Sequence, residues 1–281
     1  LKDKVTIQVV AFPQNGMYSY EAEGKTGRDL VEEALQLGAD CVGGIPHNEW
    51  ARSIGEDSIK EIVRLALKYD KYIDVHCDET DDTQARFLEL LNAEVLKQSY
   101  GARTTASHTC SFGSVNDAYA FRMMGLFKKS GIHFISCPTE NAFLQGRQDS
   151  YPKRRGLTRV LEFVDQKINV AFAQDSIVDL WYPAGNGNMM NILDNGIHLA
   201  QLMRKDDFDK NFDLVTYNGA KLMGLEKEYG LEIGKPANFI VLDAPSVFEA
   251  QRNRVECLAS IRNGLYLFKK AERSHEIGLD I

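Results

Sequence analysis

The 281-residue chain has no C-x-x-C pair, no glycine-rich phosphate loop, no basic block and no long apolar run. Each absence removes a class of function. The five cysteines, Cys41, Cys77, Cys110, Cys137 and Cys257, are odd in number and scattered. They make neither a disulfide framework nor a cysteine zinc site, and read as reduced thiols of a cytoplasmic protein. Lys and Arg number 33 against 40 Asp and Glu, a formal net charge of -7, so nothing gathers the positive charge that displaces counterions from nucleic acid. The one short basic run, Lys153-Arg154-Arg155, reads as a solvated loop near the mouth of a site. No stretch approaches the ~20 apolar residues that cross a bilayer, and no charged start leads into an apolar segment as in a signal peptide. Neither G-x-G-x-x-G nor a Walker pattern opens a helix, which argues against a doubly wound nucleotide-binding fold. Position 1 is Leu1 rather than Met, followed almost at once by a strand-like run; the expectation is a chain that has lost its beginning.

What is present is alternation. Strand-like runs occupy residues 5–12, 39–45, 72–75, 103–107, 132–137 and 168–173. Helical spacing fills the gaps, as in Leu30, Val31, Ala34 and Leu35, or Ile59, Ile62, Val63 and Ala66. Six β-then-α units predict a parallel sheet with crossover helices. Each run leads into a polar or special residue: Gln14, His47, His76, His108, Pro138 and Asp175. In a (β/α)8 barrel those ends converge on one face, where the chemistry sits. Residues 1–228 are therefore expected to form an α/β TIM-type barrel, two units short of closure because its first units are missing. Helical stretches are expected over 190–203 and 214–223. From residue 229 the texture changes to short strands and turns, and residues 255–260 and 265–269 read as a hairpin with Asn263-Gly264 at its tip. The segment 229–281 is expected to be a small β appendage.

The densest chemistry lies in His76-Cys77-Asp78-Glu79. A neutral His76 suits a divalent metal, and Asp175 can serve as ligand and as proton acceptor from a metal-activated water. Glu79, three positions further along, can reach over a substrate and carry a proton. His108 can orient the attacking water or act as a further ligand. A lone strand-end His is often structural, and a strand-end Asp often caps a helix; three such residues on successive units favour a site. His47 stays open between structure and function. His133 within a strand and His198 within a helix read as packing or surface residues, and His275 in the tail carries no signal. His47-Asn48-Glu49 matches the H-x-E half of the two-cysteine zinc deaminases, but the P-C-x-x-C partner is missing.

Taken together, Val10-Ala11-Phe12-Pro13-Gln14, Ile45-Pro46-His47, Asp74-Val75-His76-Cys77-Asp78-Glu79, Ala106-Ser107-His108-Thr109, Leu144-Gln145-Gly146-Arg147, the segment Tyr151 to Gly156 and Trp181-Tyr182-Pro183 closely resemble the bacterial cytosine deaminases of the amidohydrolase superfamily. The resemblance covers nearly the whole chain. It implies a homo-oligomeric (β/α)8 barrel of the metal-dependent hydrolase kind, with a small β-sandwich of which 229–281 is a portion, that converts cytosine and water to uracil and ammonia. By motif, it implies His76 and Asp175 as ligands of one divalent metal, Fe(II) or Zn(II), Glu79 as proton shuttle, His108 as the water-orienting histidine and Gln14 as the amide that reads the pyrimidine edge, with Phe12 and Trp181 lining or covering the ring. An amide that both donates and accepts suits such an edge.

Two departures matter. The family's H-x-H ligand pair is absent, as expected of a chain without its first units. Where typical cytosine deaminases have His-Asp-Asp, this chain has Gln174-Asp175-Ser176. The missing Asp lies beside the C5 edge of the ring in that family, so the smaller Ser176 is expected to admit a C5 methyl and make 5-methylcytosine a substrate. Asn48 and residues 139–142 also depart from the common pattern, which leaves room for a triazine or other cyclic amidine. The competing readings are a ring-opening cyclic amidohydrolase, disfavoured because His47 stands where a metal-bridging Lys would be, and a barrel turned into a non-catalytic binding module.

Overall fold

The computed structural model describes residues 3–271. Six strands, β1 (Val10–Ala11), β2 (Cys41–Gly44), β3 (Tyr72–Cys77), β4 (Thr104–His108), β5 (His133–Ser136) and β6 (Val170–Phe172), form one parallel sheet in chain order. Every neighbouring pair is parallel, with Val42 opposite Ile73, Val75 opposite Ala106 and Phe134 opposite Val170. Helices α1 (Gly27–Gln36), α2 (Arg52–Tyr69), α3 (Phe87–Lys97) and α4 (Asp117–Ser130) provide the first four crossovers, and the short α5 (Pro138–Leu144) and α6 (Val160–Asp165) share the fifth. These are six consecutive units of a TIM-type barrel. Among the described residues, β1 and β6 are the two unpaired edges of the sheet.

Period-two alternation sorts the strand side chains. In β3, Ile73, Val75 and Cys77 are buried in the apolar layer beneath the helices, while Asp74 and His76 point to the other face. Helix α2 answers that layer with Ile59, Ile62, Val63 and Ala66 at helical spacing. Its contact with β2 is so close that a Cβ at Gly44 would collide with Ile62. The larger buried aliphatic side chains of this layer stabilise the fold by roughly 1.5–3 kcal/mol each. A capping box between Thr26 and Asp29 starts α1, and the Asn116 side chain accepts the Tyr119 N–H at the start of α4.

Several expected boundaries move. Of the run 5–12 only Val10–Ala11 pairs in the sheet, because β1 is an edge and residues before it meet β2 only through Asp40 and Cys41, whose N–H groups donate to the Val9 carbonyl. The single helix expected over 214–223 is broken at Thr216 into a 3-10 turn, Asn211–Val215, and α8 (Tyr217–Leu222). The preceding helix α7 (Met189–Leu199) stops four residues before 203. Among the described residues beyond 229, β7 (Phe239–Leu242), β8 (Cys257–Arg262) and β9 (Leu265–Lys269) form the strands, in one antiparallel sheet of order β9-β8-β7. The β8–β9 hairpin turns on Asn263-Gly264, both with positive φ, as the sequence predicts. An unexpected helix, α9 (Val247–Asn253), interrupts the segment, and its Gln251 side chain donates to the Phe208 carbonyl. The expected sandwich portion runs to residue 281; its last ten positions, with His275, lie outside the described residues. Among the described residues no helix is long and apolar enough to cross a membrane.

Candidate metal centre and active site

At the C-terminal ends of β3, β4 and β6 the sheet presents three of the expected residues together. His76, His108 and Asp175 each offer one ligand atom, and these atoms all lie within 4.8 Å of one another. His76 is the fifth residue of β3 rather than following it, and His108 is the last residue of β4. Asp175 stands three residues beyond the end of β6, and its Oδ2 is 3.6 Å from His108 Nε2. The imidazole planes of His76 and His108 meet edge to face at 4.4 Å.

The donors fit a divalent ion. His76 Nδ1 and His108 Nε2 are buried with no hydrogen-bond partner, and an orphaned buried nitrogen needs an explanation such as an ion or a water. Burial holds both rings neutral, pushing His76 well below the usual histidine range and His108 down to about 4. Neutral imidazole is the form that binds metal.

Glu79 approaches the same place from the loop after β3. Burial, reinforced by the charges of Asp175 and Glu140, pushes its carboxyl up to about 8. Asn141 donates from Nδ2 to Glu79 Oε1 at 2.9 Å, and its Oδ1 is 3.2 Å from His108 Nδ1. With Nδ1 protonated, His108 donates to that oxygen and keeps the Nε2 lone pair turned to Asp175. Asn141 is completely buried, so one amide fixes both the Glu79 rotamer and the His108 ring. Between His76 and Glu79, Asp78 faces away. Its oxygens accept the Phe87 and Leu88 N–H groups at the start of α3, at 3.1 and 3.0 Å. The turn that separates these duties carries positive φ at Asp78, and His108 and Thr109 are held in the same left-handed region; non-glycine residues in that region are characteristic of functional sites.

A cavity of about 300 Å³ opens above these groups, lined by Gln14, His47, His76, Glu79, Glu140, Asp175, Ser176 and Trp181 among others. Gln14 and Trp181 are exposed toward it. The Trp181 loop is fixed by Asp179, whose Oδ1 accepts the Trp181 and Tyr182 N–H groups. His47 joins the lining from the 3-10 turn Pro46–Asn48, and burial beside His108 pushes it down to about 4. Phe12 is not part of the lining; its ring packs against His76 at 4.4 Å and braces that imidazole.

Other residues take structural roles. Glu49, whose zinc-deaminase match lacked its P-C-x-x-C partner, accepts the N–H groups of Met17 at 2.6 Å and Ser19 at 2.9 Å on its carboxylate and so ties down the loop that carries Gln14. The basic run is largely exposed, as expected of a solvated loop, yet two of its side chains also fasten it. Lys153 donates to the carbonyls of Gly146, Arg147 and Asp149, and Arg154 pairs with the Asp149 carboxylate at 2.7 Å. His133 is buried within its strand and His198 is exposed beside Asp194, as expected of packing and surface residues. All five cysteines are free. Glu140 and Asn141, both on α5, escaped sequence reasoning. The only sign of them was the departure of residues 139–142 from the common pattern.

Comparison with known proteins agrees with this architecture. The structure is similar to that of a 5-methylcytosine deaminase from Klebsiella pneumoniae, liganded with 5-fluorocytosine, with a TM-score of 0.93 and 48% identity over 96% of this chain and 64% of that one. In sequence it is 29% identical to the N-isopropylammelide isopropyl amidohydrolase of Pseudomonas sp. (strain ADP) over 96% of this chain, spanning 62% of that relative's length. A pterin deaminase from Rhizobium rhizogenes is 26% identical over 86% of the chain and 54% of its own length. The chain thus spans somewhat under two thirds of the relatives it matches. The profile of the Amidohydrolase family matches residues 2–267, and the chain belongs to that family.

Proposed function

We propose that the protein, in its full length, deaminates cytosine and 5-methylcytosine hydrolytically, releasing ammonia and leaving uracil or thymine. The observation that carries this reading is the proton-holding Glu79 beside the His76, His108 and Asp175 cluster, in one cavity with the Gln14 amide. The 48% identity to a 5-methylcytosine deaminase supports the same substrate class.

A divalent metal, Fe(II) or Zn(II), when held by His76 and Asp175 with His108 Nε2 facing it, supplies a water acidified to near neutrality. The chain does the rest. Gln14 donates to and accepts from the pyrimidine edge and so fixes which carbon faces His108. Asp175, whose carboxyl burial raises above its ordinary range, takes the proton of the attacking water. Glu79 delivers its proton to ring N3, which makes C4 electrophilic, and the amino group leaves as ammonia after a further proton passes through Asp175 or Glu79. Trp181 shields the ring from solvent, and Phe12 holds His76 in place. A cytoplasmic location and a homo-oligomeric assembly belong to the same proposal, the first supported by the five free thiols.

The rival is an aminotriazine amidohydrolase, favoured by the 29% relative. The test is product release by the full-length, metal-loaded protein. Ammonia from cytosine and more rapidly from 5-methylcytosine supports the proposal. Isopropylamine from N-isopropylammelide, with no ammonia from either pyrimidine, replaces it with the rival.

A further inference from the structure

We propose that Glu140 sets the tolerance of the site for a substituent at the pyrimidine C5 edge, by holding the Ser176 hydroxyl away from the bound ring. The inference rests on the pyrimidine deaminase reading above and names a positioning residue within it.

Glu140 lies in the first turn of α5 and is only 2% exposed, with Ser176 6% exposed beside it. Each carboxyl oxygen accepts from that serine, and the Asp175 and Asp179 carboxyls lie beside the pair. The Ser176 N–H donates to Oε2 at 3.0 Å and the Ser176 hydroxyl donates to Oε1 at 2.9 Å. The two residues sit in the wall of the cavity that also holds Gln14, Glu79 and Asp175. A carboxylate is a stronger acceptor than a ring carbonyl, a ring nitrogen or water, so the serine proton stays on Glu140. With its hydroxyl turned back, Ser176 offers the cavity a Cβ and no donor. A serine in the sequence therefore behaves as a small apolar wall, and a methyl group can lie against it without leaving a polar group unpaired.

Neighbouring contacts keep Glu140 from following the serine. Pro138 begins α5, and the adjacent Asn141 is locked on Glu79 and His108. If Glu140 lost one acceptor, Ser176 could turn its hydroxyl into the cavity or recruit a water, and either would occupy the volume of a methyl group. Burying a carboxylate is costly unless its oxygens are satisfied. Here the satisfaction comes from the residue that faces the substrate.

The test compares two ratios in the full-length, metal-loaded protein: kcat/KM for 5-methylcytosine over cytosine, and the affinity for thymine over uracil, which reads the methyl pocket without turnover. Glu140→Gln keeps the size and loses one acceptor; it is expected to lower both ratios about tenfold. Glu140→Asp, whose shorter arm cannot reach both serine donors, should lower them in the same direction and stands in if the Gln variant fails to fold. In a Ser176→Ala background, Glu140→Gln should change either ratio by less than about twofold, because no hydroxyl remains to be held. Ratios unchanged in Glu140→Gln, with the parent protein active, would overturn the inference and leave the deaminase reading intact. Equal shifts in both backgrounds would also overturn it, since Glu140 would then act without the serine. A parent inactive on both pyrimidines would remove the deaminase reading and the inference with it.

Discussion

Two strand ends of this barrel carry a histidine followed closely by a glutamate, His47 to Glu49 after β2 and His76 to Glu79 at the end of β3, and they put the glutamate to opposite uses. Glu49 spends its oxygens on backbone N–H groups of residues 17–19. Glu79 accepts from the Asn141 amide, with His108 Nδ1 3.2 Å from the same oxygen, in a desolvated place next to other carboxyl groups. The first is a fastening for a loop; the second is a group kept protonated near neutral pH. The lesson is that a carboxylate's neighbours assign its role. Residue type and spacing are nearly the same in the two loops.

The largest effect that would sharpen this contrast is on turnover. Glu79→Gln should lower kcat of the full-length enzyme by about 10²–10⁴-fold, the usual contribution of a positioned acid or base, with little change in melting temperature of the metal-loaded protein. Glu49→Ala should show the reverse pattern. It leaves buried N–H groups unpaired, at a cost on the order of 1–3 kcal/mol in stability, and loosens the Gln14 loop, so KM rises more than kcat falls. Steady-state kinetics and thermal melts on both variants check the pair. Equal kcat losses from the two would break the contrast.

A smaller effect concerns pH. The Glu79 carboxyl in the folded, metal-free chain is raised to about 8, above its ordinary unfolded value of about 4.3. The folded state therefore binds more protons between those values, and stability tied to this group is full below the unfolded value and lost as pH rises through the folded one. Glu79→Gln should thus stabilise the metal-free chain at pH 8 relative to the parent, on the order of 2 kcal/mol, and make little difference near pH 4. Denaturant melts at the two pH values decide it; no pH dependence in the difference would mean that the group is not held protonated.

The smallest expected effect is on selectivity. Ser176→Asp should reduce 5-methylcytosine turnover more than cytosine turnover, by roughly tenfold, because a second carboxyl would project where the methyl group fits and face Glu140. Equal losses on the two bases would sink the assignment of that wall to the C5 edge.

Much of the site was legible because strand ends announce it. His76, His108, Gln14 and Asp175 follow apolar runs, and a parallel β/α order brings such positions to one rim. Glu79 was legible from its distance to His76. Glu140 and Asn141 were not, since helix α5 has seven residues with no distinctive period, and their importance comes from contacts with residues 33 to 62 positions away. The fastening roles of Glu49, Lys153 and Arg154 were illegible for the same reason: each bonds to backbone groups of a neighbouring loop, and backbone partners leave no trace in residue types. The short β1 and the break at Thr216 are likewise decided by neighbours rather than by local propensity.

The most direct test of the central claim is a crystal structure of the full-length protein grown with Zn(II) or Fe(II) and thymine. The account predicts a metal bound at about 2.0–2.2 Å by His76 and Asp175, His108 Nε2 directed at the metal or its water, the ring held between Gln14 and Glu79, and the C5 methyl group against Ser176. A metal bound elsewhere, or a ring whose methyl group points away from Ser176, would contradict it.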